Sequence, residues 1–356
     1  MAIQTINIGN IANDGTGDDL REAFIKVNDN FTELSTSVTS VNVQASNLGT
    51  GTGLFAQKSD NTLQFKSLQA GAGVTITPGG NTVSITADSG ITQLILISDD
   101  GSIIALGAPR NDGGGTASGH IRVFQNNSGI WNQIGSDIDG EEGEEGNNGS
   151  NGDYFGYSIA ISGDGSIVAA GAPYHNNNKG QVRIFQNVSG NWTQIGSEIE
   201  GPLNNNQFGL SVSLSNDGSI VAVGSHENSS GQSTGAVTIY ENISGNWTQI
   251  GSDLEGDANG DKFGQAISLN SAGNIIAIGA SQEDNFGSGN GYARIFENVS
   301  GTWTQIGSDL NGENTGDRFG GYSGISINGS GSLVAVGATR NDGGGSNSGH
   351  VRIYQN

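Results

Sequence analysis

The sequence predicts a mainly β chain, with a five-bladed β-propeller over residues 92–356 preceded by a small α+β module. Three observations predict it. All four tryptophans, Trp131, Trp192, Trp247 and Trp303, occupy one position of a repeat about 57 residues long. A glycine followed by a small residue recurs at Gly107, Gly171, Gly224, Gly279 and Gly337, marking five copies, and a Phe-Gly pair recurs at Phe155, Phe208, Phe263 and Phe319. Glycine is also abundant, at 61 residues with only 4 prolines, and lacks a collagen period. Much Gly, Asn, Asp and Ser between short Val/Ile/Thr runs means short strands joined by tight turns.

The second copy shows the elements in order. "YSIAIS" (157–162) alternates apolar and small residues and reads as a first strand. A "GDG" turn leads into "SIVAAGAP" (166–173), apolar throughout and so expected to be buried on both faces. "QVRIFQN" (181–187) is a third strand, and "VSGN" turns it into "WTQIG" (192–196), the fourth. Four strands per copy suit a propeller, whose blades are four-stranded. A β-solenoid is the rival, but its coils are usually about 20–30 residues.

The fifth copy ends at "HVRIYQN" (350–356) without a "WTQIG" strand. A bare outer edge invites aggregation, so a strand from 74–87 is expected to complete it, with a hairpin kept on the stalk or a strand lent by a neighbouring chain as rivals. With an inner strand starting at Ile91, the connection from Ala87 is tight. The strand would end near Thr86, or "VTIT" (74–77) would serve instead.

Before the repeats, residues 1–50 and 51–91 differ in character. From Asp18, a helix N-cap, Leu20, Phe24, Val27, Phe31 and Leu34 begin a 4-3-4-3 apolar spacing that continues to Leu48. This reads as a short coiled coil, with a trimer interface built on those five residues. The alternative is a single helix stopping near Leu34, because "STSVTSVNV" is rich in β-branched residues. Residues 51–91 form a β-rich connector with a hairpin at 74–87 around "PGGN", while "GTGTGLFAQKSDNTLQF" shows no clear period.

Composition narrows function. Asp plus Glu outnumber Lys plus Arg by 35 to 13, for a net charge of −22, which argues against nucleic acid or an anionic membrane as main partner. No apolar run approaches the ~20 residues of a membrane span, and no secretory signal is visible. There is no cysteine, hence no disulfide and no thiolate metal site. No nucleophile elbow, P-loop or His-Glu-x-x-His motif occurs. His120 and His350 are explained by repeat position. Neither a catalytic residue nor a cofactor is assigned, and a glycan-degrading pair of carboxylates is the remaining enzymatic alternative.

Two family resemblances follow from quoted residues. The FG pairs, the "GAP" steps at 107–109 and 171–173 and the V-x-I/F strands resemble the FG-GAP repeat of integrin-type propellers. That family often holds calcium in a turn rich in aspartate. Here the matching turns, from "SDDGS" (98–102) to "NGSGS" (328–332), lack the ligand set, since calcium takes about 6–8 oxygens. Asp100, Asp164 and Asp217 are therefore expected to be turn formers, with no metal, and the Asn187, Asn242 and Asn298 sequons to be hairpin turns. Residues 6–34, "INIGNIANDGTGDDLREAFIKVNDNFTEL", resemble the N-terminal attachment segment of tail-fibre and neck-appendage proteins of tailed phages, especially T4-like phages infecting cyanobacteria.

That second resemblance implies a virion structural protein assembled in the host bacterial cytoplasm. It would be docked through its N-terminus to other virion proteins, homotrimeric, and would carry a distal domain outward. The expected role of the propeller is host attachment, with a surface glycan as ligand. A purely structural neck or capsid decoration is the alternative. In a blade running down, up, down, up, the variable loops between strands two and three share a face with the connections between blades. Ligand contacts are expected there, at Tyr174, His175, Asn177, His226, Asp284 and Phe286, because binding residues concentrate on loops held by a rigid scaffold.

Overall fold

The structure, a computed structural model, describes residues 95–141, 152–282, 289–321 and 324–355, together with the backbone of four strands between 55 and 87. The 1–50 segment, including Leu20, Phe24, Val27, Phe31 and Leu34, lies outside the described residues. So do Asp284, Phe286 and residues 142–151.

The chain divides into two compact units, Met1–Ala70 and Gly71–Asn356. In the first, β1 (Phe55–Ser59) pairs antiparallel with β2 (Thr62–Phe65) across a bulge. This is the stretch without a legible period, because strands of five and four residues interrupted by a bulge are too short to show one. In the second unit, β3 (Val74–Pro78) pairs with β4 (Val83–Ala87), the expected hairpin. Its register matches Val74 with Ala87, Ile76 with Ile85 and Pro78 with Val83, and matches Thr75 with Thr86 and Thr77 with Ser84.

Five antiparallel sheets follow, each winding in sequence order. Sheet one is β5 (Ile95–Ile97), β6 (Ile103–Ala108), β7 (His120–Asn127) and β8 (Ile130–Gln133), with β9 (Ile138–Asp139) returning to β7. Sheet two is β10 (Ser158–Ile161), β11 (Ile167–Ala172), β12 (Gln181–Val188) and β13 (Asn191–Gln194), with β14 (Ile199–Glu200) on β12. Sheet three is β15 (Ser211–Leu214), β16 (Ile220–Ser225), β17 (Ala236–Ile243) and β18 (Asn246–Gln249), with β19 (Leu254–Glu255) on β17. Sheet four is β20 (Phe263–Leu269), β21 (Ile275–Ala280), β22 (Tyr292–Val299) and a continuous β23 (Thr302–Asn311). Sheet five has three strands, β24 (Ile325–Ile327), β25 (Leu333–Ala338) and β26 (His350–Gln355). The described part of the first inner strand is Ile95–Ile97, and seven residues separate Ile95 from Ala87. The outer strand is also broken in sheets one to three, a feature not foreseen. It passes Gly135, Gly196 and Gly251, all at positive φ, before pairing again.

The apolar middle strands do bury both faces in sheets two, three and four. Val168, Ala170 and Ala172 pack on sheet one, and Ala169 faces Val221 and Val223 of sheet three. Ala222 faces Ile276 and Ile278, and Ala277 faces Val334 and Val336. Burying such strands at roughly 25 cal/mol per Å² is the main stabilising term of the array. At the turn end, backbone bonds link the sheets in series. Asp99 donates to Gly163 (2.9 Å), Gly163 to Asn216 (2.8 Å), Asn216 to Ser271 (2.9 Å) and Ser271 to Gly329 (3.1 Å). Each tryptophan after the first reaches back one sheet. The indole N–H donates from Trp192 to Ile134 O, from Trp247 to Ile195 O and from Trp303 to Ile250 O, at 2.9, 2.9 and 3.1 Å. The described sheets form a mainly β, propeller-like array.

Candidate binding face

The turn end is structural. Asp100, Asp164 and Asp217 each accept from a backbone N–H two residues on (Ser102, Ser166, Ser219; 2.9 Å) and from the serine two residues back. The Ser102 amide and the Ser98 hydroxyl hold the Asp100 carboxyl below its ordinary pKa. Sheets four and five need no carboxylate there, because Asn270 and Asn328 accept from the backbone of Ile275 and Leu333. The sequon asparagines also close turns, accepting from Gly190, Gly245 and Gly301 at 2.8 Å.

The opposite end is built on a four-residue device, Asp/Asn-x-Phe-Gly, of which the sequence reading noticed only the last two members. The acidic or amide residue is buried each time and ties the connection between sheets to the loop of the sheet that follows. Asp153 Oδ2 lies 2.8 Å from His175 Nδ1, and the Asn206 amide donates to Glu227 O at 2.5 Å. Asp261 accepts from the Tyr292 hydroxyl at 3.0 Å and from the Ala258 amide at 3.1 Å, and Asp317 from Asn341 at 2.8 Å. The Phe is fully or nearly fully buried against an aromatic of its own third strand, as with Phe155 and Phe185 (6.2 Å between centroids) or Phe208 and Tyr240 (6.3 Å). Position x takes a left-handed backbone in all four copies: Tyr154 (φ 56), Gln207 (54), Lys262 (55) and Arg318 (56). One rigid frame thus carries four different side chains. No residue type at x advertises positive φ, which is why sequence inspection passed over it.

Around this frame the loop end of sheet two gathers aromatics. Tyr174 meets Tyr154 edge-on at 5.0 Å and Tyr157 at 6.0 Å, and the Arg110 guanidinium lies 5.8 Å from the Tyr154 ring. Burial pushes the Tyr157 and Tyr174 phenols up, so both stay neutral hydrogen-bond donors. Asn177, three residues after Tyr174, is exposed, with a left-handed backbone (φ 58), and its carbonyl accepts from the Asn205 amide. His226 lies one loop further round, half-buried, its backbone amide bonded to Asn206 O. Burial, reinforced by Lys262, lowers its pKa and keeps it neutral. The structure thus brings Tyr174, His175 and Asn177 together and places His226 on the adjacent sheet.

Two carboxylate–histidine groups have atoms close enough to share an ion: His120, Asp137 and Asp139, and Glu141, Asp153 and His175. In both, the protein supplies its own cation. Arg122 makes a two-pronged ion pair with Asp137 (2.8–3.0 Å), and Arg183 lies 3.8 Å from Glu141 while stacking on Phe155 at 4.2 Å. Burial alone would lower the His175 pKa. The hydrogen bond to Asp153 and the charges of Asp153, Glu141 and Glu200 outweigh it and raise the value above normal. These groups are read as charge-balanced supports for the loops.

Between the sheets, the inner strands line a cavity of about 650 Å³, with Tyr157, Leu210 and Gln265 at its loop end and Asp99 at its turn end. This is the size of small-ligand clefts. The Gln265 Oε1 atom is buried there without a hydrogen-bond partner among the described residues.

Residues 146–185 match the FG-GAP repeat model, and no curated protein matches the chain. Solved structures resemble it in fold. Hydrazine synthase from Kuenenia stuttgartiensis is 12% identical over 73% of this chain and 62% of its own, with a TM-score of 0.42. The periplasmic gluconolactonase PpgL of Pseudomonas aeruginosa is 14% identical over 73% and 67% (TM-score 0.47). The β-propeller domain of the Trilobed protease from Pyrococcus furiosus, described as having an open velcro topology, is 10% identical over 74% and 69% (0.40). The chain spans less than two thirds of the synthase, and at these identities the likeness concerns the fold and carries no chemistry across.

Proposed function

We propose that this chain is a non-enzymatic phage virion protein of fibre or appendage type, anchored by its N-terminal segment as a trimer and using the repeat array to recognise a host-surface glycan. The observation that carries the binding role is the loop end of sheet two. There Tyr154, Tyr157 and Tyr174 cluster with Arg110 on a left-handed frame whose x residue differs in every copy, with Asn177 exposed on the same loop as Tyr174. Aromatic faces with a few fixed polar groups suit a neutral polyhydroxyl ligand, which offers C–H faces for stacking and hydroxyls for hydrogen bonds. A net charge of −22 disfavours acidic polymers and leaves neutral or cationic sugars as the better fit. The anchoring role rests on the resemblance of residues 6–34 to phage attachment segments.

Labelled full-length protein incubated with host cells tests the reading. Saturable binding, competed by the purified surface polysaccharide, supports it. Attachment to particles without any cell binding would favour structural decoration instead.

A further inference from the structure

Sheets one to four each carry a socket on the side that meets the next sheet. In all four, the second-strand glycine (Gly107, Gly171, Gly224, Gly279) stands so close to the carbonyl of the next Phe-Gly turn (Gly156, Gly209, Gly264, Gly320) that a Cβ would lie within 3.0 Å of it. Gly119, Gly180, Gly235 and Gly291 touch the backbone of Phe155, Phe208, Phe263 and Phe319 in the same way. Sheet five keeps the socket, and nothing in the described residues fills it. At Gly337 the nearest atoms are 3.6 Å away and belong to its own sheet, and Gly349 meets only Ala338 and Thr339. Val351 and Ile353 are 69% and 73% exposed, although their counterparts Ile121, Val123, Val182, Ile184, Val237 and Ile239 are at 2% or less.

Sheet one shows the matching deficit on its other side. Ile95 and Ile97 are 62% and 58% exposed, whereas Ile325 and Ile327, at the same places in sheet five, are at 8%. Among the described residues no earlier outer-strand carbonyl accepts from Trp131, which is 41% exposed. Arg183 donates across to the Asp139 carbonyl, and Arg294 and Arg352 form ion pairs with Asp257 and Glu313, all of the preceding sheet, but Arg122 turns to its own Asp137. Two apolar faces, a bare β26 edge and an indole wanting an outer-strand carbonyl are thus left at one seam.

We propose that β4, within the 74–87 hairpin of this same chain, adds to the free edge of β26 as the fourth strand of sheet five, and that the array then closes with sheet five against sheet one. A strand on that edge supplies the carbonyl that Trp131 lacks, as Ile134, Ile195 and Ile250 do for the other three tryptophans. Three observations select this segment. The hairpin falls in the same compact unit as the sheets, Gly71–Asn356. Its register sorts apolar from hydroxyl residues, as a strand needs when only one face meets a core. Seven residues join Ala87 to Ile95; their eight Cα steps reach about 26 Å. Crossing three strand spacings and one sheet-to-sheet separation takes about 17 Å. A chain reaching Ile95 spans that crossing with length to spare.

The test uses the full chain. In the unmodified protein, the β26 amides that β25 leaves unpaired are expected to exchange at least 100-fold more slowly than free peptide, and acrylamide quenching compared with Trp131→Phe should find Trp131 shielded. Val351→Asp is expected to lower the melting temperature by about 5 °C or more, and Ile85→Pro, which removes a ladder donor from β4, should lower it and unshield Trp131. Free exchange along β26 would overturn the proposal. So would a Val351→Asp effect with a silent Ile85→Pro, which would mean that the two sheets meet without the strand. A drop in molar mass for Val351→Asp without loss of melting temperature would assign the seam to a second copy instead.

Discussion

Replacing Gly209 by alanine should destabilise the array through two separable causes. Gly209 sits at φ +88, where a Cβ costs about 1–2 kcal/mol. The added carbon would also lie 2.7 Å from Gln181 O, 3.0 Å from Gly171 Cα and 3.1 Å from Val182 Cγ2. The first two are backbone atoms that no rotamer change can move, so sheets two and three must part locally. Overpacking of this kind costs about 1–3 kcal/mol, for a total of about 3 kcal/mol. Gly190 supplies the control. Its φ is +86, yet nothing lies within 4 Å of its added carbon, so Gly190→Ala meets the conformational cost alone. At about 2 °C per kcal/mol for a domain this large, thermal denaturation followed by circular dichroism should show Gly209→Ala melting about 6 °C lower and Gly190→Ala about 3 °C lower. Equal shifts for the two variants would refute the close approach of sheet three to sheet two.

Trp247→Phe keeps most of the packing but leaves the Ile195 carbonyl without its donor, at a cost of about 1 kcal/mol measurable by chemical denaturation. Asp261→Ala removes the acceptor for the Ala258 amide and the buried Tyr292 hydroxyl, and should destabilise by about 3 kcal/mol, several times the effect of Asp342→Ala on an exposed loop. The raised pKa of His175 means that the folded protein holds this proton more tightly than the unfolded chain. The stability it adds is complete below the ordinary value of 6.5 and is lost as pH rises through the raised value. His175→Gln should remove that part of the pH dependence, as read from melting temperatures across this range.

The repeat was legible because its markers do irreplaceable work. Tryptophan bridges to the preceding sheet, glycine admits the next one, and the Asn-x-Ser-Gly and Asp-Gly turns need those residue types for their backbone angles. Both strands of the 74–87 hairpin were legible from alternation alone, whereas β1 and β2 were not, being short and bulged. At the candidate face, Tyr174, His175 and Asn177 were singled out through loop variability. Tyr154 and Tyr157 were missed because one directly precedes the Phe-Gly marker and the other opens the first-strand pattern at 157–162. The left-handed position x left no signal, since its residues, Tyr, Gln, Lys and Arg, share no conformational preference. The unfilled seam was half visible. A missing fourth strand shows in the sequence, but the sockets at Gly337 and Gly349 emerge only when each copy is compared with its neighbour in space.

The binding role is tested most directly by measuring the affinity of the full-length protein for host-surface polysaccharide in two variants matched for folding. Tyr174→Ala removes the ring that joins Tyr154 to Tyr157 at the loop end, and Asp217→Ala alters only an opposite turn. The account predicts at least a tenfold loss for Tyr174→Ala, about 1.4 kcal/mol or more, and unchanged affinity for Asp217→Ala. Unchanged affinity for Tyr174→Ala, with loss in Asp217→Ala, would contradict it.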